Sequence, residues 1–224
     1  TERGFDLVMP PVMEFVDALL TGTGEELDTQ TYKFMDQHTH RMLGIRADIT
    51  PQIARIDSHY LADREVNKLC YAGTVLRTQP AQMGGQRELL QIGAEVFGIA
   101  DESADMQVID AMLQTLTLSR APDITLSVGH VGIYRALLQH QSIDGKVEQR
   151  LRDVLLRKSR PDLAELQTKI DVRPFNDLLD LQGGVDVLTS ARDTLSGDDE
   201  LQSALQQLSN VAEHLQTSAP KVKV

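Results

Sequence analysis

The run Arg77-Thr78-Gln79-Pro80, followed across Gly84-Gly85 by Arg87-Glu88-Leu89-Leu90-Gln91-Ile92-Gly93-Ala94-Glu95-Val96-Phe97-Gly98, decides how the rest of the chain is read. Glu88 to Gly98 has the composition of one long strand, in which alternate residues share a face. Leu90, Ile92, Ala94 and Val96 make one face wholly apolar, and that face is expected to pack on helices. The other face carries Leu89, Gln91, Gly93, Glu95 and Phe97. A Gln and a Glu flanking a Gly on an otherwise buried strand form a small polar floor with room above it, more a ligand site than a packing surface. Tyr71 to Arg77 reads as the preceding strand, and Gln79 to Arg87 as a glycine-containing loop between the two.

Toward the N-terminus the pattern is strands broken by short helices. Phe5 to Met9 alternates and stops at Pro10-Pro11, as a strand does before proline. A helix is expected from Met13 to Leu20, ended by Thr21-Gly22-Thr23-Gly24. Tyr32–Met35 and Met42–Arg46 form a hairpin pattern across Asp36 to His40. Thr50-Pro51 then opens a helix, with Thr50 as N-cap, Pro51 at the first helical position and Ile53, Ile56, Tyr60 and Leu61 on its apolar side.

Toward the C-terminus, Ser103 to Arg120 is an amphipathic helix with Ala104, Val108, Met112, Leu113 and Leu116 inward. Ile124 to Val128 reads as a strand between Pro122 and Gly129. Beyond His130 the chain is helical in pattern, punctuated by Pro161, Pro174 and Gly183-Gly184. Lys221-Val222-Lys223-Val224 reads as the start of a strand. The expected organisation is therefore a mixed α+β core over 1–130, a helical insertion over 131–219, and residues 220–224 returning to the core.

The 224 residues suffice for a sizeable core, and with 4% aromatics and no Trp that core must rest on aliphatic side chains. No apolar run approaches the roughly 20 residues of a membrane span, and no signal peptide opens the chain. Cys70 is the only cysteine, so neither an internal disulfide nor a Cys-rich zinc site is available. These features point to a cytoplasmic protein. The net charge of −11 makes the chain a poor partner for nucleic acid, whose binding draws on Lys and Arg at phosphates. Acidic runs such as Asp198-Asp199-Glu200 read as solvated helix starts.

The strand-loop-strand from Arg77 to Gly98 resembles motif 2 of the class II aminoacyl-tRNA synthetases, and among them histidyl-tRNA synthetase most. Gly4-Phe5 to Pro11 with Glu14 looks like the end of motif 1, and Arg46-Ala47-Asp48-Ile49-Thr50 sits where the synthetases contact the amino acid. The departures are specific. Gln79 stands where motif 2 carries the acid that meets adenine, Gly85 where the loop carries an Arg, and Asp48 is one methylene shorter than its counterpart. Arg46 to Gln52, Leu69 to Gly73 and Gly129-His130-Val131-Gly132-Ile133-Tyr134 look like the histidyl-tRNA-synthetase-like regulatory subunits of ATP phosphoribosyltransferase.

That resemblance implies a class II synthetase fold: a mixed antiparallel sheet flanked by helices, with a helical insertion. It implies a subunit without catalytic residues or cofactor of its own, which joins a short-form catalytic subunit, activates the first step of histidine biosynthesis and supports feedback inhibition by histidine. It also implies a dimer, and a leading helix, motif 3 and the second half of the amino-acid pocket outside residues 1–224. The alternatives are a histidyl-tRNA synthetase fragment that uses ATP and tRNA, and a synthetase-like protein of another pathway.

Two readings stand open at each candidate site. Asp48, Thr50, Gln91 and Glu95 are either half of a histidine pocket or a polar network tying sheet to helix. In the first case Glu95 accepts from an imidazole N–H while Gln91 and Asp48 hold the α-amino group and Thr50 adds a hydroxyl. Arg77 either faces a phosphate or carboxylate, or pairs with Glu88 or Glu95. Gly84-Gly85 reads as a mobile loop, His38 and His40 as a solvated turn without the further ligands a metal needs, and Cys70 as a small buried hydrophobe. No Ser/His/Asp or Cys/His arrangement is present in the pattern.

Overall fold

The computed structural model describes residues 3–22, 24–80, 82, 84–139, 141, 143–195, 198–220 and 222–223. The chain divides into two compact units, Thr1–Ser119 and Arg120–Val224. Segment 120–130, placed with the core from sequence, groups with the helices.

In the first unit, β1 (Asp6–Leu7), β5 (Asn67–Leu76) and β6 (Glu88–Phe97) form one sheet in the order β1-β5-β6. β5 and β6 are antiparallel over their whole length, from Asn67 opposite Phe97 to Leu76 opposite Glu88, whereas β1 runs parallel to β5. A second sheet, β2-β4-β3, joins β2 (Met13–Phe15) and the hairpin of β3 (Tyr32–Met35) and β4 (Met42–Ile45), all antiparallel. Helices α1 (Val16–Leu19), α2 (Glu25–Gln30), α3 (Thr50–Tyr60) and α4 (Glu102–Leu118) complete the unit. This is the expected α+β arrangement of a mixed sheet flanked by helices.

The core of this unit lies on one face of β5 and β6. Ile49, Ile53, Leu69, Tyr71 and Val75 are buried together, with Leu89 and Phe97 packed against them. Burying an aliphatic side chain of this size stabilises by about 1.5–3 kcal/mol. Arg46 staples the two sheets together although it is only 4% exposed. Its side chain donates to the carbonyls of Thr74 at 2.8 Å and Pro10 at 2.7 Å, and its own carbonyl accepts from Leu76 N–H. Gly73 makes room for it: a Cβ there would lie 2.3 Å from a guanidinium nitrogen.

Several expected elements differ. Only Asp6–Leu7 of the Phe5–Met9 segment is strand. The helix expected over Met13–Leu20 is split, because Met13–Phe15 find backbone partners on β4 and only Val16–Leu19 coil. Thr50 is not the cap of α3. Ile49 holds that position without a side-chain bond, while Asp48 Oδ1 accepts from Thr50 N–H at 2.9 Å. The apolar face of β6 is covered only in part. α4 packs against β6 but buries only Leu113 fully, and Leu90 and Ile92 remain 71% and 58% exposed. Cys70 is half-buried.

The second unit is helical: α5 (Val131–Gln139), α6 (Gly145–Leu156), α7 (Arg160–Glu165), α8 (Arg173–Asp180), α9 (Val187–Thr194) and α10 (Asp199–Ser218). Leu151, Val154, Leu163, Phe175, Leu201 and Leu205 form its core, the helical stripes legible in the sequence. Asp144 and Asp198 cap α6 and α10 through their carboxylates, each contributing about 1 kcal/mol. The strand expected over Ile124–Val128 reduces to one parallel bridge, Thr125 with Lys223. Lys221 and Val224, expected to begin a strand, lie outside the described residues.

Candidate functional site

Four candidate residues meet on the buried face of the first unit. The loop after β4 delivers Asp48, the first turn of α3 delivers Thr50, and β6 delivers Gln91 and Glu95. Gln91 Nε2 donates to Asp48 Oδ1 at 2.8 Å, and Gln91 Oε1 accepts from Ile49 N–H at 3.0 Å. Gln91 therefore fixes the Asp48 loop against the sheet. Thr50 Oγ1 donates to Glu95 Oε1 at 3.1 Å, which ties the start of α3 to the same strand.

The residue that organises this cluster was not among the sequence candidates. Tyr71, on β5 directly opposite Gly93, places its hydroxyl 2.9 Å from Thr50 Oγ1 and 3.4 Å from Glu95 Oε1. The space above Gly93, read from sequence as open room, is filled by its ring: a Cβ on Gly93 would lie 2.2 Å from Tyr71 Cζ. An aromatic paired with glycine across two strands was the available signal, and finding it needed the register.

Glu95 is set apart electrostatically. Burial pushes its carboxyl above the usual range, the hydroxyls of Thr50 and Tyr71 pull it back, and the Asp48 charge raises it again. Burial likewise raises the Tyr71 hydroxyl, eased by Thr50 and reinforced by Glu95 and Asp48. Among the described residues, Glu95 Oε2 and Asp48 Oδ2 take no protein hydrogen bond. Two unspent carboxylate oxygens suit a ligand that brings N–H donors and positive charge.

Arg77 pairs with neither Glu88 nor Glu95. Its Nε donates to the Ala47 carbonyl at 3.3 Å, and its terminal nitrogens have no protein partner among the described residues. It lines, with Asp48, Glu26 and Gln30, a cavity of about 420 Å³. A guanidinium left unpaired beside a carboxylate can take an anionic group while the carboxylate takes a cationic one. His38 and His40 sit in the β3–β4 turn, where the Asp36 carboxylate accepts from His38 N–H. Ala81 and Met83 of the Gln79–Arg87 loop lie outside the described residues.

The mixed sheet, the long antiparallel β5–β6 pair and the polar cluster on its inner face define a class II aminoacyl-tRNA synthetase fold. The sequence profile described as histidyl-tRNA synthetase matches residues 1–224, and the chain belongs to that family. It is 41% identical over 223 residues to an ATP phosphoribosyltransferase regulatory subunit from Pseudomonas syringae, covering 98% of this chain and 56% of the relative. The chain thus spans little more than half the length of the curated relatives it matches. Among solved structures it superposes with TM-score 0.83 on an ATP phosphoribosyltransferase regulatory subunit/histidyl-tRNA synthetase from Bacillus halodurans, at 28% identity, covering 98% of this chain and 58% of that one. An ATP phosphoribosyl transferase (HisG:HisZ) complex from Thermotoga maritima contains a chain of the same fold, with TM-score 0.71 at 18% identity, covering 100% of this chain and 74% of that one. No described helix is long and apolar enough to cross a membrane.

Proposed function

We propose that the protein is a regulatory subunit of ATP phosphoribosyltransferase. It joins a short-form catalytic subunit in the cytoplasm, activates the first step of histidine biosynthesis and carries feedback inhibition by histidine, without catalysing a reaction itself. The observation that carries this reading is the pair of unspent carboxylates, Asp48 and Glu95, held by Gln91, Thr50 and Tyr71. Histidine offers matching donors. Its imidazole N–H meets Glu95, its α-ammonium meets Asp48, and its carboxylate meets Arg77. The 41% identity to named regulatory subunits supports the assignment of the pathway.

The rival reading, a tRNA-charging enzyme, draws on the family profile. Gln79 speaks against it, because an amide there lacks the charge expected at adenine, and Gly85 lacks the loop cation. The acidic balance also leaves little attraction for tRNA. We further place the protein as a dimer within its hetero-oligomer.

The test is a titration of the full-length protein with histidine by calorimetry. Losing one hydrogen bond to a charged group costs about 1.5–3 kcal/mol, so Glu95→Gln and Gln91→Ala should each weaken binding roughly tenfold to a hundredfold. Unchanged affinity in both variants returns these residues to a purely structural role.

A further inference from the structure

The second unit holds a cavity of about 800 Å³ that none of the roles above uses. It is a cleft partly open to solvent, and its volume falls within the roughly 300–1,000 Å³ of small-molecule sites. Leu178 and Leu188 wall it from α8 and α9, and Leu205 and Leu208 from α10, so its body is aliphatic.

The rim carries the second signal. The chain has 33 acidic and 22 basic residues, yet among the described residues no Asp or Glu lines this cavity, while Lys158 and Lys223 do. Lys158 Nζ donates to Gln182 Oε1 at 2.5 Å, a neutral partner across the opening, and forms no ion pair among the described residues. Its positive charge is therefore unspent. Its backbone is also unusual: Lys158 closes α6 at φ +53°, a left-handed conformation that favours glycine. The N–H groups of Lys158 and Ser159 bond back to Leu155 and Val154, the usual close of a helix at a left-handed residue.

We propose that this cavity binds a small organic acid, with an apolar chain or ring against the leucines and its carboxylate on Lys158. The site is independent of the Asp48–Glu95 cluster, and it requires nothing of the histidine reading.

Decanoate is a suitable probe, with decan-1-ol as the same body without charge, both titrated into the full-length protein carrying ¹³C-labelled leucine methyls. Decanoate should shift the methyls of Leu178, Leu188, Leu205 and Leu208 and bind more tightly than decan-1-ol. Lys158→Gln should weaken decanoate roughly tenfold or more and leave the alcohol unchanged, as expected for loss of a charged hydrogen bond. Gln182→Glu should weaken it as well, by setting a carboxylate at the opening. Failure of the full-length protein to bind decanoate overturns the proposal. Equal affinity for acid and alcohol, indifference to Lys158→Gln, or shifts confined to other leucines overturn it too.

Discussion

The ring of Tyr71 occupies the space in which any other residue at position 93 would put its Cβ, 2.2 Å from Tyr71 Cζ. Tyr71 and Gly93 are thus one device on adjacent strands: the glycine admits the ring, and the ring carries a hydroxyl to Thr50 and Glu95. Gly93→Ala should force the ring aside and lower stability by about 1–3 kcal/mol, the usual range for overpacking. Tyr71→Phe keeps the ring and should cost only about 1 kcal/mol, the worth of one ordinary hydrogen bond. Urea denaturation of both variants checks this ordering, and a Gly93→Ala protein as stable as the parent contradicts the geometry.

Burial holds the Glu95 carboxyl above its ordinary value. The native state then binds that proton more tightly than the unfolded chain does. Its contribution to stability is therefore full below the ordinary glutamate value and is lost as pH rises through the raised one. Glu95→Gln removes this dependence. The variant should melt at a higher temperature than the parent at neutral pH, with the gap closing as pH falls toward 4. Thermal melts across that range measure it, and a variant less stable at neutral pH than at pH 4, relative to the parent, reverses the sign.

Arg46 is buried and donates to the carbonyls of Thr74 and Pro10, and burial lowers the pKa of its guanidinium while the Glu14 charge opposes that shift. Arg46→Met should leave the carbonyls of Thr74 and Pro10 without their donor and destabilise the first unit by about 1–3 kcal/mol for each carbonyl left unsatisfied. Loss of cooperativity in the first unit's unfolding, followed by hydrogen exchange on β4 and β5, is the expected signature.

The long strands and the polar residues of the site were legible because a period of two over Glu88–Phe97 leaves few other readings, and because Gln91, Gly93 and Glu95 interrupt an apolar run. Asp48 and Thr50 could be joined to them only through family resemblance, since no local pattern brings the start of α3 to the middle of β6. Tyr71 was hidden for the same reason: its meaning lies in the register with Gly93. The short elements misled. Met13–Leu20 has helical content, but three of its residues are claimed by β4, a tertiary pairing that overrides local preference. Leu90 and Ile92 look like core residues in sequence and are bare in the first unit.

Gln79 and Gly85 bear on chemistry directly. Histidine-dependent exchange of pyrophosphate into ATP should stay at background in the full-length protein. Gln79→Glu alone should not raise it, because the loop still lacks a cation at Gly85. Robust exchange in the parent protein restores the synthetase reading.

The most direct test is turnover of a short-form ATP phosphoribosyltransferase mixed with the full-length protein, with and without histidine. Activation by a shift in the partner's conformational balance needs only about 1–3 kcal/mol of coupling, or roughly 5–150-fold. Activation within that range, suppressed by histidine, is the expected result. In Glu95→Ala and Arg77→Ala proteins that still assemble, activation should persist while the histidine response weakens. A full-length protein that assembles with the partner yet changes neither its turnover nor its response to histidine contradicts the central claim.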